Sequence, residues 1–205
     1  MGPPSRAEQA MRCVPRRAFL PAAQQRHSER DVPLPIGHGQ TNSQPTTVRR
    51  MLELLDVQPG DRVLDVGSGS GWTTALLAWL TGPNGHVFAV ERHTDLAAFG
   101  AANVGSAGMP WAQVRLALPR VLGLPQHGPY QRILVSAQAH SLPGELVDQL
   151  APRGVLVIPV AGRMLRVVAG PDATLAPAVE EHGWYRFVPL VADPPLDPPA
   201  GPVVA

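Results

Sequence analysis

The densest chemistry in the sequence lies in Arg62-Val63-Leu64-Asp65-Val66-Gly67-Ser68-Gly69-Ser70-Gly71-Trp72. A short apolar run ends at a carboxylate, glycines then alternate with serines, and an apolar segment follows. That order reads as a buried strand, a tight turn and a helix start. Glycine at 67, 69 and 71 permits positive φ and lets a ligand lie against the backbone. Unpaired N–H groups at a helix start favour an electron-rich or anionic group. Asp65 can orient the turn, cap it, or reach a ligand ammonium directly or through water. Glu91 ends the next β-rich run and can accept two charge-assisted hydrogen bonds from ribose hydroxyls. A second stretch, residues 33–45, has no helical or strand period but is dense in hydrogen-bonding side chains, among them His38, Gln40, Thr41 and Ser43. Its leading apolar residues mark it as an ordered, packed loop, and such loops carry function more often than length alone explains.

Two nucleoside cofactors fit a strand, a glycine turn and an acid on the following strand. A dinucleotide site needs G-x-G-x-x-G. Here the spacing is G-x-G-x-G, and Trp72 occupies the place of the last dinucleotide glycine. That spacing, with Asp65 two residues ahead of Gly67, favours S-adenosylmethionine held by Asp65, Gly67, Ser68, Gly69, Gly71 and Glu91.

The elements that must position these residues follow from periodicity. A short helix is expected near Arg6–Met11, an irregular proline-boxed segment over 14–21, and an exposed loop over 22–32. Val48, Met51, Leu52 and Leu55 recur at helical spacing, so a helix spans 46–55, with Pro45 at its first position and a polar residue ahead of it as cap. Strands are expected at 62–66, 86–90, 112–117, 131–136, 155–160, 164–169 and 184–190, and helices at 73–80, 95–107 and 143–150. Alternating strands and helices imply a parallel, doubly wound α/β sheet with helices on both faces, and the helix-poor end implies an antiparallel edge. Ligands on such sheets sit beyond the carboxyl ends of the strands at the switch point.

The bulk properties narrow the function classes. The chain has 205 residues, 44% of them apolar, enough for one domain with a sizeable core. A net charge of +1 gives no electrostatic grip on nucleic acid or a membrane surface. The single cysteine, Cys13, excludes an internal disulfide and a cysteine-based zinc site. No apolar run approaches the roughly 20 residues needed to span a bilayer, so a cytoplasmic protein, expected to be monomeric, is the default. The chain divides into a polar N-terminal segment (1–12), one domain (13–191) and a Pro-rich tail (192–205) expected to be disordered.

The sequence resembles the protein-L-isoaspartate (D-aspartate) O-methyltransferases over most of residues 11–191. The resemblance rests on Val14-Pro15-Arg16 with Phe19, Leu34 to Thr41 with Ser43-Gln44-Pro45, Val63 to Gly71, Val90-Glu91-Arg92, Gly123-Leu124-Pro125, and Arg186 to Leu190. The Gly-His-Gly-Gln-Thr-x-Ser-Gln-Pro block is the most specific part. The resemblance implies a Rossmann-like, class I methyltransferase sheet and transfer of a methyl group from S-adenosyl-L-methionine to the carboxylate of isoaspartyl residues in damaged proteins or peptides. The ester then closes to a succinimide, whose hydrolysis partly restores aspartate. It assigns Ser43 to the active site, makes His38, Gln40, Thr41 and Ser43 a substrate loop, and calls for no metal.

Several positions depart from the family pattern. Leu118-Pro119-Arg120 stands where Gly-Asp-Gly is usual, so the acidic contact near the adenine is missing. Ser136 to His140 replaces the usual Thr-Ala-Ala segment, and Gln138 or His140 could alter substrate choice. Trp72 replaces a tyrosine, and Asn42 an apolar residue. These departures leave two further readings open: an aspartate methyltransferase that tailors one peptide, and a degenerate binding domain without turnover.

Overall fold

The computed structural model describes residues 2–172 and 174–191; the tail lies outside them. Helix α1 (Arg6–Cys13) opens with a capping box, in which the Glu8 N–H donates to Ser5 Oγ and the Ser5 N–H to the Glu8 carboxylate. The polar segment read from the sequence is therefore part of the packed fold. Ala7 and Ala10 are buried, and Arg6 donates to the carbonyls of Val57 and Leu80, both at 2.6 Å. Two 3-10 turns follow, Arg16–Phe19 and Ala22–His27.

Residues 33–45 are not wholly irregular. They form an antiparallel hairpin, β1 (Leu34–Gly37) and β2 (Gln40–Asn42), turned through Gly37, His38 and Gly39 at φ of 103°, 53° and 69°. Strands this short show no alternation in sequence. Helix α2 (Pro45–Leu55) has proline at its first position, as expected, but neither Ser43 nor Gln44 caps it. Asp31 does: its carboxylate accepts from the Thr46 N–H at 2.9 Å, the Thr46 hydroxyl at 2.7 Å and Gln44 Nε2 at 3.0 Å. Those bonds, the Thr46 N–H first, hold the Asp31 carboxyl below its ordinary range.

The main sheet comprises β3 (Arg62–Val66), β4 (His86–Glu91), β5 (Ala112–Leu116), β6 (Tyr130–Val135), β7 (Leu150–Val160), β8 (Arg163–Val168) and β9 (Ala178–Trp184). Their order is β5-β4-β3-β6-β7-β8-β9, with the first five parallel, β8 antiparallel to β7 and β9 antiparallel to β8. This is the expected doubly wound α/β sheet with an antiparallel C-terminal edge. The winding reverses between β3 and β6, which opens a crevice beyond their carboxyl ends.

The two faces are covered unequally. Helices α1, α2, α3 (Trp72–Thr81) and α4 (Thr94–Ser106) enclose one core with Val63, Val87 and Leu134. On the other face Leu64, Phe88, Tyr130, Ile133 and Leu156 are covered mainly by an irregular link and by α5 (Gly144–Val147). That link contains Pro119, Gly123, Pro125, Gly128 and Pro129, which oppose a helix. Gln149 fastens it by accepting from the Leu124 N–H at 2.9 Å and donating to the Leu122 carbonyl at 2.8 Å.

Two expected elements differ in extent. The helix expected over 143–150 stops at Val147, because Leu150 pairs with Tyr130 and begins β7. The strand expected over 184–190 instead ends at Trp184. Residues 185–191 run on as an extended segment tied back across the crevice: the Gln138 N–H donates to the Val188 carbonyl at 2.8 Å and the Leu190 N–H to the Gln138 carbonyl at 2.7 Å. No helix among the described residues is long and apolar enough to cross a membrane.

Candidate active site

The glycine turn is bound to β4 through its own backbone. The N–H groups of Gly67 and Ser68 donate to the Val90 carbonyl, that of Gly71 to the Ser68 carbonyl, and that of Gly69 to Glu91 Oε2 at 2.9 Å. Four N–H groups of the turn are thus spent internally, while the first intrahelical bond of α3 is the one from the Ala75 N–H to the Gly71 carbonyl, which leaves the N–H groups of Trp72, Thr73 and Thr74 as the donors at the helix start. The feature that opposes a dinucleotide is Trp72, which stands where a dinucleotide turn needs its last glycine for close packing. The turn still needs glycine: φ is 78°, 53° and 87° at Gly67, Gly69 and Gly71. A Cβ on Gly69 would lie 3.0 Å from Ile36 Cδ1, and one on Gly71 would lie 2.8 Å from the Gly100 carbonyl oxygen.

The two acids named from the sequence take different places. Glu91 is buried, not a solvated strand-end charge, and it lines the cleft. Its second oxygen accepts from the His93 N–H at 2.9 Å, leaving lone pairs for ligand hydroxyls. Asp65 is fully buried behind the turn and does not line the cleft. Its Oδ2 accepts from the Thr73 and Thr74 hydroxyls at 2.8 and 2.7 Å, clamping the first turn of α3. Burial pushes the Asp65 carboxyl up to about 6. The two hydroxyls oppose the rise, and Glu91 adds to it. Asp65 therefore orients the turn.

Beyond β3, β4 and β6 lies a cleft of about 520 Å³, lined by Gly67 to Ser70, Glu91, Ser136 and the wall from Leu116 to Gly123. Ser68 lines this cleft, and its Oγ is buried without a hydrogen-bond partner. A hollow of that size, with an orphaned hydroxyl and a fixed carboxylate at one end and an apolar wall at the other, fits a nucleoside bearing a polar tail. A smaller hollow of about 270 Å³ adjoins it, lined by Pro33, Gln44, Thr47, Arg186, Phe187 and Val188. Thr41, Ser43, Ser136 and Val188 line both. Gln40 lines the larger one only. His38 lines neither; it stacks on His93 at the hairpin tip, 3.4 Å from Asp95 Oδ2. Gln138 and His140, considered for substrate choice, line neither hollow.

The sequence profile described as protein-L-isoaspartate(D-aspartate) O-methyltransferase matches residues 4–193. The chain belongs to this family. A protein-L-isoaspartate O-methyltransferase of Aeropyrum pernix is 45% identical over 190 residues, covering 92% of this chain and 73% of the relative. One from Methanosarcina mazei is 38% identical over 193 residues, covering 87% and 79%. A crystal structure from Plasmodium falciparum, described as a protein of this family in complex with S-adenosyl-L-homocysteine, superposes with a TM-score of 0.78. It is 26% identical and covers 93% of this chain and 92% of that one.

Against the family pattern, Leu118, Pro119 and Arg120 stand in the cleft wall, and Arg120 takes a φ of 61°. Leu116, Leu118 and Pro119 make that stretch of the wall apolar, and Glu145 also lines the cleft. Sequence reasoning missed Arg16 as a site residue. It is buried, and burial lowers its pKa to about 10, against the attraction of Asp31. Its guanidinium donates to the carbonyls of Arg30, Val32, Asn42 and Ser43 at 2.8–3.0 Å, and so fixes the backbone of the serine. Only its place in a motif beside a proline-boxed segment signalled it.

Proposed function

We propose that this chain transfers a methyl group from S-adenosyl-L-methionine to the carboxylate of L-isoaspartyl, or D-aspartyl, residues in damaged proteins and peptides. The observation that carries the reading is the meeting of the two hollows at Thr41, Ser43 and Ser136, in a chain of this family. A ligand in each would face the other across these hydroxyls. Gly67 to Gly71, Ser68 and Glu91 would hold the methyl donor, which when bound supplies an electrophilic methyl on a sulfonium. The smaller hollow, with Arg186 and several hydroxyls, suits a peptide carboxylate.

The chain's own work is placement. A carboxylate with a pKa near 4 is ionised at pH 7, so no general base is required of the protein. Ser43 can donate to one carboxylate oxygen and leave the other to attack. Ile36 and Val188 line the walls and exclude water, which strengthens the attacking oxygen. The reading places the enzyme in the cytoplasm, acting as a monomer on exposed isoaspartyl sites.

The test is transfer of labelled methyl to an isoaspartyl peptide and to its normal aspartyl twin. Label on the first alone is expected, and Ser43→Ala should lower transfer more than it lowers cofactor binding. Equal labelling of both peptides, or cofactor binding with no labelling, would overturn the proposal.

A further inference from the structure

Asn42 stands where the family resemblance calls for an apolar residue, and it is 5% exposed. It lines the larger cleft between Thr41 and Ser43, where the two hollows join. Its Oδ1 accepts from Arg16 Nε at 2.7 Å, and its Nδ2 donates to Ser70 Oγ at 3.0 Å. Each neighbour extends the connection. Arg16 holds the backbone carbonyls of residues 42 and 43 and lies 5.6 Å above the Trp72 ring. Ser70 belongs to the glycine turn, and its carbonyl accepts from Asn103 Nδ2 of α4 at 2.9 Å. A hydrogen-bonded path, buried from Ser70 to Arg16, thus runs from α4 through the turn and β2 to Arg16.

The ends of this path belong to different ligands. The turn bounds the larger cleft, whereas Thr41 and Ser43, which flank Asn42, line both hollows. An apolar side chain at 42 could make neither bond, and would leave Arg16 Nε and Ser70 Oγ without their present partners inside the protein. Such groups are costly when unpaired, so the path favours one relative placement of turn and hairpin. A ligand that fixes the turn then prepays the ordering of the hairpin for the second ligand, and the reverse.

We infer that Asn42 is a positioning residue that couples the two hollows, so that methyl donor and peptide bind synergistically. The inference rests on the methyl-transfer reading above. The experiment measures the dissociation constant of an isoaspartyl peptide by calorimetry, with and without saturating S-adenosyl-L-homocysteine. The ratio of the two is the coupling. In the wild type it is expected to be about fivefold or more, and in Asn42→Leu to fall to about one. Asn42→Asp restores it, because a carboxylate accepts from Arg16 and the Ser70 hydroxyl can turn to donate. Because Asn42 lines the larger cleft, affinity for the homocysteine product alone can change in either variant, and the ratio is the readout. A merely structural role would instead weaken both ligands and leave their ratio intact.

An unchanged ratio in Asn42→Leu, or a wild-type ratio near one, overturns the coupling. Should the leucine variant fail to fold, Ser70→Ala cuts the same path from its other end and must lose the ratio too. A wild-type protein that labels no isoaspartyl peptide overturns the function and the coupling with it. Normal labelling with an unaltered ratio in the variants overturns the coupling alone.

Discussion

Asp65 is ionisable, wholly buried and only half partnered: two threonine hydroxyls meet Oδ2, while Oδ1 has no hydrogen bond. With its carboxyl pushed to about 6, the folded chain keeps this proton well above the pH at which an unfolded aspartate releases it. Between roughly pH 4 and 6 the native state therefore binds more protons, and this group makes stability fall as pH rises, by about 3 kcal/mol once pH exceeds 6. Asp65→Asn can still accept from both threonines through its amide oxygen but does not titrate. Urea unfolding should show the variant gaining on the wild type by about 2–3 kcal/mol between pH 4 and pH 7.5. A pH-independent difference would mean that the native carboxyl is already ionised at pH 4. The sequence made Asp65 and Glu91 conspicuous by type and spacing, but not which would face a ligand. Asp65 alternates with Leu64 and Val66 on its strand, and the pleat turns it toward the start of α3. Arg16 was less legible still, because four of its acceptors are backbone carbonyls, which no residue type displays.

At the scale of elements, α4 crosses the glycine turn at backbone contact. A Cβ on Gly100 would stand 2.8 Å from the Gly69 carbonyl oxygen. In a solvent-facing helix, Gly→Ala stabilises by about 1 kcal/mol. Here the added methyl has no room, and overpacking costs about 1–3 kcal/mol. Gly100→Ala should thus come out destabilised in urea, with weakened S-adenosyl-L-homocysteine binding, because relief comes by moving the turn. A more stable variant with unchanged affinity would show that the contact yields freely. The periodic elements α2, α3, β3 and β4 were readable because apolar spacing and packing agree. β9 was not, since Ala178–Trp184 is an exposed edge strand whose glutamates and histidine carry no apolar alternation. The cap of α2 was not readable either, because Asp31 arrives from fifteen positions before Thr46. α5 lost its last turn to sheet pairing at Leu150, where long-range bonds outweigh local helical preference.

At the scale of the whole molecule, the cleft is assembled from distant parts of the chain. The hairpin near residue 40, the turn after β3, the ends of β4 and β5, the residues after β6 and the returning segment 185–191 all line it. The resemblance showed these as separate motifs, and the α/β alternation showed where their strands end, but only the folded sheet makes them neighbours. A site built this way exists in the native state alone, so a ligand that fills it must stabilise the entire domain. At a concentration of about 100 times its dissociation constant, S-adenosyl-L-homocysteine should contribute about 2.7 kcal/mol. For a domain of this size that raises the unfolding midpoint by roughly 5–10 °C, increasing further with the logarithm of ligand concentration. A nicotinamide dinucleotide should give no comparable shift, because Trp72 stands where a dinucleotide turn needs its last glycine. Thermal unfolding followed by circular dichroism in the presence of each compound checks both expectations. A rise with the dinucleotide and none with the homocysteine product would overturn the assignment of the cleft.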